Sequence, residues 1–395
     1  MKKITTTIFN LLLGSLLFAQ VPKKEMKSMI EEDLKFATNQ YKVLMKLVPP
    51  TVMPRSYNAA KKELVTSDIK WWCSGFYPGT LWMIYDATKD ATIKEEAIRT
   101  LKVLEPMKYY TGNHDLGFMI YCSFGTAYAI TKDPAYKEAV FTAAASLTTR
   151  YRPSIKSIQS WDSSANFKCP VIIDNMMNLE LLEWVSQQGG DAKYHDVAVN
   201  HANSTLKNHF RADNSSYHVL DYDLQSGTVA RKVTHQGYAD ESAWARGQAW
   251  GLYGFTVMYR FTKDTKYLDQ AKKIAAFLLQ HPNLPKDKIP YWDFNAPDIP
   301  NAKRDASAGS IMASALLELA QYSKGNEAKE YVQTAETILK SLSSAVYRAQ
   351  LGTNGGFLLE HSVGHLPGNS EVDVPLTYAD YYFIEALLRY KKWYL

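Results

Sequence analysis

Cysteine is scarce in this chain: three in 395 residues, Cys73, Cys122 and Cys169. That is too few for a disulfide scaffold, and burial as small hydrophobic thiols is their expected fate. No Cys/His cluster stands at zinc spacing, and neither an HExxH run nor a Walker-type glycine loop occurs. Charge of one sign is lacking too. The formal balance is only +5, and no basic run traces a phosphate backbone, so a nucleic-acid partner is not expected. Beyond the N-terminus no segment is apolar enough to cross a bilayer. The N-terminus itself reads as an export signal. Lys2 and Lys3 precede an apolar stretch from Ile8 to Ala19, with a cut expected near Ala19 or Gln20. Residues 1–20 are therefore assigned as signal peptide and 21–395 as one domain, placed in the periplasm or outside the cell.

What is abundant is helix-forming and aromatic sequence, including 26 Tyr and 9 Trp. A unit recurs along the chain. An apolar segment ends, a short turn follows, and an amphipathic segment begins. The turns are Lys89-Asp90, Lys132-Asp133, Gly190-Asp191, Lys263-Asp264 and Gly325-Asn326, where Asp or Asn suits a helix N-cap. The segments before the turns, at 76–85, 117–130, 174–185, 245–260, 307–322 and 375–390, are apolar nearly all round and belong inside. Those after the turns, with a first one at 26–47, alternate charged and apolar residues as outer helices do. Six inner and six outer segments describe an all-α (α/α)6 barrel, read before any local motif because each hairpin buries its face only on its neighbours. The outer-to-inner connections at 152–170, 211–243, 282–306 and 347–374 are long. Being of one connection type, they gather at one mouth, and loops of this kind carry function. Short strands are expected near 217–222 and 228–232, joined by a turn at Ser226-Gly227.

Asp115 and Asp174 each open an inner segment, on adjacent hairpins. Two acids facing one cleft raise each other's pKa and suit proton transfer; the alternative is that each only caps its helix. Asp174 follows the apolar run 170–173, which would bury it. The connection near 217–250 supplies His218, His235, Gln236, Arg246 and Trp250. Arg246 could hold a carboxylate through two parallel hydrogen bonds or form a structural ion pair. Trp250, Trp161 and the Trp71-Trp72 pair could stack on sugar rings or fill the core.

The stretches WWCSGFYPGTLW, HDLGFMIYCSFG, PVIIDNMMNLELL, the triplet His235-Gln236-Gly237, SAWARGQAWGLYG, IPYWDF, RDASAGSIMASALLEL and SEVDVPLTYADYYFIEALLR run in order across almost the whole chain. Together they resemble the unsaturated glucuronyl hydrolases, glycoside hydrolase family 88. The resemblance implies an (α/α)6 barrel that removes the 4,5-unsaturated uronic acid left by polysaccharide lyases, without metal or cofactor. It implies that Asp174 is the general acid/base and Asp115 the second essential carboxylate. It implies further that His114, His218, Gln236, Arg246 and Trp250 line the sugar subsite, with Trp161 and Trp72. The expected partner is an unsaturated uronic-acid oligosaccharide. In one respect the chain departs from some relatives. A Ser-x-x-Ser-x-Lys motif associated with sulfated substrates is here Ser362, His365 and Pro367. Competing readings are an unsaturated rhamnogalacturonyl hydrolase, a sugar epimerase or isomerase using paired histidines on the same barrel, and a non-catalytic glycan binder.

Overall fold

The computed structural model describes residues 23–395; the export signal read at 1–20 lies outside the described residues. Helices alternate between an outer and an inner ring. α1 (Lys23–Leu47) is outer and α2 (Phe76–Thr88) inner. α3 (Ala91–Leu104) is outer, and the next inner rod starts as a π-helical stretch, Gly117–Gly125, that runs into α4 (Thr126–Thr131). After outer α5 (Pro134–Thr148), the third inner rod opens as a 3₁₀ turn, Ile173–Asn178, and continues as α6 (Leu179–Gln187). Outer α7 (Lys193–Asn208), inner α8 (Ala245–Thr262), outer α9 (Thr265–Gln280), inner α10 (Ala306–Gln321), outer α11 (Gly325–Leu342) and inner α12 (Thr377–Tyr394) complete the series. Each inner rod packs on the next, and α12 returns to α2, so the ring closes. Among the described residues, no helix is long and apolar enough to cross a membrane.

The sequence pattern sets the layers. In α10 every residue from Ala306 to Ala320 is buried, whereas α9 buries only the stripe Tyr267, Gln270, Ala271, Ile274, Ala275 and Leu278. Three of the inner-to-outer turns are built alike. Lys89, Lys132 and Lys263 sit at φ +58°, +60° and +57°, the left-handed region normally left to glycine. That costs about 1–2 kcal/mol for a side-chain-bearing residue. Each donates its N–H to the tyrosine four residues back, Tyr85, Tyr128 or Tyr259, and lays its ammonium 5.4–5.5 Å from the same ring. The next residue, Asp90, Asp133 or Asp264, caps the outer helix through its carboxylate. A cap of about 1 kcal/mol and a cation–π contact of about 0.5–1 kcal/mol offset the strain. The fifth turn corrects the expectation: α11 begins at Gly325 itself, so Asn326 lies inside the helix and does not cap it.

All strands lie in the outer-to-inner connections. β1 (Met53–Asn58) pairs with β2 (Glu63–Ser67), and β3 (Tyr151–Arg152) with β4 (Ser157–Ile158). β5 (Pro170–Ile172), β6 (Val219–Asp223) and β7 (Thr228–Val233) form one antiparallel sheet. β8 (Ser362–His365) pairs with β9 (Ser370–Val374). The expected Ser226-Gly227 turn joins β6 to β7, with Gly227 at φ +70°. Cys73, Cys122 and Cys169 are buried free thiols.

Candidate active site

The site forms where the inner rods begin. Asp115 precedes the π-helical stretch and Asp174 is the second residue of the 3₁₀ turn. What brings the two rods together is Gly117: a Cβ there would stand 2.5 Å from Asn178 Cα. Asn178 Oδ1 instead accepts the Phe118 N–H at 3.1 Å, so a side chain from one rod satisfies the widened turn of the other. Neither carboxylate caps a helix, since the first turns of both rods have no side-chain cap.

Both acids are buried, with Asp115 8% and Asp174 9% exposed. Burial raises Asp174, opposed by the Arg246 charge, its own backbone N–H and the Trp250 indole, and its pKa comes to about 7. Asp115 is held well above the carboxylate range, first by burial and second by the charge of Asp174. Burial thus pushes both carboxyls toward the neutral form. Asp174 Oδ2 has no hydrogen-bond partner among the described residues.

Histidines surround the pair in their neutral form. His114 Nε2 lies 3.3 Å from Asp115 Oδ1, and burial lowers its pKa to about 3. His218 is likewise pushed well below its ordinary value, by burial and then by His235 and Arg246. Its Nδ1 accepts the backbone N–H groups of His235 and Gln236, both at 3.1 Å. The ring proton consequently sits on Nε2, which faces Asp174 Oδ2 at 3.7 Å.

The acids open into a cavity of about 590 Å³, within the range of small-ligand sites. Of the expected residues, His114, Asp115, Asp174, Trp72, Trp161, Gln236 and Arg246 line it; His218 and Trp250 do not. Trp161 is aligned by a bridge to Asn113, beside His114. Trp250 corrects the stacking expectation. It is fully buried against Phe118 and Tyr382, and it turns its indole N–H toward Asp174 without completing a hydrogen bond. Trp72 packs on Phe76, Phe118 and Tyr378, while Trp71 stands at the rim, so both members of the pair reach the cavity.

Arg246 corrects the free two-pronged grip on a ligand. Its Nη1 donates to Asp305 Oδ2 at 3.1 Å and Val363 O at 2.5 Å. Its Nη2 donates to Gln236 Oε1 at 3.1 Å and Gly364 O at 2.6 Å. The terminal groups are thus spent on holding β8 against α10. Because Gln236 Oε1 accepts from Arg246, the Gln236 amide NH₂ is left as a donor.

Several lining residues escaped the sequence reading. Tyr378 on α12 has a buried hydroxyl without a partner among the described residues, and His365 lies tilted against His235, ring centres 4.7 Å apart, and meets His235 O at 2.9 Å. The tyrosine stood inside a quoted motif, but nothing local marks which of its neighbours faces inward. Of the departed motif, Ser362 is buried in β8, His365 reaches the cavity and Pro367 is exposed in the turn beyond. Among the described residues no group of three His, Cys, Asp or Glu side chains could hold a metal ion.

A family model described as Glycosyl Hydrolase Family 88 matches residues 45–393. An unsaturated glucuronyl hydrolase of Formosa agariphila is 47% identical over 340 residues, covering 85% of this chain and 84% of that protein. One from a Bacillus species is 34% identical over 337 residues, covering 84% and 89%. Among solved structures, an unsaturated glucuronyl hydrolase specific for heparin is similar with a TM-score of 0.90 at 45% identity, covering 93% of this chain and 98% of that one.

Proposed function

The chain belongs to Glycosyl Hydrolase Family 88, and from that premise we propose that it removes the 4,5-unsaturated glucuronyl residue from the non-reducing end of acidic oligosaccharides left by lyases, with Asp174 moving the proton. The observation that carries the assignment of Asp174 is its state. It is a buried carboxyl whose Oδ2 lacks a hydrogen-bond partner, with a pKa near 7, and it lines the cavity.

The chemistry follows from the substrate's C4=C5 vinyl ether. Protonated Asp174 delivers its proton to C4, and positive charge develops at C5 and the ring oxygen. Water adds its oxygen to C5 and gives a proton back to the Asp174 carboxylate, restoring the acid. The hemiketal so formed opens by breaking the bond from C5 to the ring oxygen, leaving a ketone at C5. The anomeric carbon, now a hemiacetal, releases the leaving sugar as an alcohol. Acid and base do not flank the anomeric carbon, so carboxylate spacing says nothing of retention or inversion. Asp115 stands across the cavity as the second carboxyl, His218 directs an N–H at Asp174, and Gln236 offers its amide to the substrate. His114, Trp72 and Trp161 line the sugar's path. The comparisons favour this reading over the rhamnogalacturonyl alternative.

The test is incubation with unsaturated disaccharides from several lyase digests. The expected result is loss of the double-bond absorbance with release of the second sugar. A stable chromophore alongside cleavage of a saturated glucuronide would overturn the reading. Export to the periplasm or beyond is supported by Lys2, Lys3 and the apolar stretch after them; fractionation of the producing cells, with N-terminal sequencing of the mature protein, checks it.

A further inference from the structure

Beside the catalytic cavity lies a second groove of about 530 Å³, between the β1–β2 hairpin and β9. Ser370 and Glu371 line both spaces, so the two share a wall. That wall is pinned. Arg55 Nε bonds Glu371 Oε1 at 2.5 Å, and Arg55 Nη2 reaches Ser370 Oγ at 3.4 Å. Glu371 is held at φ +56°, a conformation that a side-chain-bearing residue keeps only when its surroundings fix it. The Arg55 guanidinium also lies 4.6 Å from the Trp71 ring centre. Of the nine tryptophans Trp71 alone is exposed, at 40%, and it stands on the rim of the catalytic cavity. An exposed indole braced from behind by a fixed cation is a platform for a sugar face.

We infer that oligosaccharides longer than a disaccharide leave the catalytic cavity over Trp71, cross the Arg55–Glu371 sill, and lay their third and later sugars in the second groove. This rests on the reading that the cavity hydrolyses unsaturated oligosaccharides. The charges of the groove are already matched. Glu371 is paired with Arg55, and Asp373 with Lys303 and His361, each at 2.7 Å. Among the described residues that line the groove, Arg55 is the one cation and it is committed to Glu371, so the groove takes uncharged sugar units. Arg55 and Glu371 act as positioning residues, setting the platform and the sill.

The experiment compares an unsaturated disaccharide with a tetrasaccharide of the same digest whose reducing-side sugars are neutral. The expected kcat/KM is about ten-fold higher for the tetrasaccharide, the size of one aromatic stacking contact. Ala60→Trp, at the exposed hairpin tip and outside the catalytic cavity, fills the groove. It should lower the tetrasaccharide value about ten-fold and leave the disaccharide unchanged. Trp71→Ala should bring the ratio of the two substrates close to one, and Trp71→Phe should restore most of it. Equal rates on both substrates in the parent protein, or an unchanged ratio in Ala60→Trp, would overturn the second groove while leaving the hydrolase intact. Should neither substrate be turned over, the reaction is wrong. Calorimetric binding of the tetrasaccharide then reads the groove separately: weaker binding by Ala60→Trp supports it, and equal binding refutes it.

Discussion

Two buried carboxylates stand at opposite ends of the same barrel, and the same burial leaves them in opposite states. Asp174 lies at the mouth, where the inner rods begin; Glu318 lies near the closed face, where they end. Glu318 is 3% exposed, yet the charges of Arg260 and Arg389 overcome its burial and hold its pKa near 2. Arg260 binds it with two parallel bonds of 2.6 and 2.7 Å, and Arg389 lies at 3.0 Å. Asp174 also has an arginine nearby, but Arg246 spends its terminal groups on Asp305, two β8 carbonyls and Gln236. One arginine charge only moderates the cost of burial at Asp174, while two arginine charges outweigh it at Glu318; the two sites also differ in where the arginine hydrogen bonds go. Where they go to the carboxylate, the pair is scaffold. Where they go elsewhere, the acid keeps a proton it can give away.

The strongest way to break this contrast is Asp174→Asn, which keeps shape and polarity and removes only the transferable proton. Turnover should fall by at least about 10²-fold while the disaccharide still binds and the protein stays folded. A near-parental rate would end the acid–base assignment. Glu318→Gln should do the reverse, because it leaves two half-buried arginines undercompensated. Denaturant unfolding should show a loss of about 3–5 kcal/mol, with kcat of the folded enzyme unchanged. A large kcat effect would mean that the two ends are coupled.

The pH dependence sharpens the same point. Asp174 must be protonated to act, so kcat should hold below about pH 7 and fall about ten-fold per unit above it. A flat profile from pH 6 to 9 would remove Asp174 as the donor. The last effect is on stability. A raised pKa in the folded state contributes stability that is present below about pH 4 and lost as pH rises through 7. Asp174→Asn should therefore match the parent near pH 4 and exceed it at pH 8, by on the order of 4 kcal/mol. Glu318 has the opposite sign: its contribution is present above its ordinary value of 4.5 and lost as pH falls toward 2.

The hairpin count, the Lys-Asp turns and the two mouth acids were legible because each is a local pattern: a burial period, a cap, a carboxyl at a helix start. The roles of Arg246 and Trp250 were not. Asp305 lies 59 residues from Arg246, and the carbonyls of Val363 and Gly364 lie 117 and 118 residues away. No spacing rule tells a guanidinium that is free from one already committed at such range. Trp250 sits on an inner rod that is apolar all round, so periodicity cannot say whether its indole faces the sugar or the barrel interior. The π-helical stretch at 117–125 was invisible for a related reason, since its widened turn is satisfied by Asn178 of another rod.

The three lysine-capped turns carry a consequence for how such a barrel diversifies. Each gives the chain two residues to reverse direction, with the first in a left-handed conformation and the second already a cap. An inserted residue there would separate the cap from its helix and the ammonium from its tyrosine in one step. The opposite connections carry hairpins, a three-stranded sheet and long irregular runs, and can lengthen without touching a helix end. Insertions and deletions are therefore filtered by face. One side of the molecule is a fixed baseplate, and the other is open ground on which descendants of the same barrel can grow new walls around an unchanged pair of carboxyls.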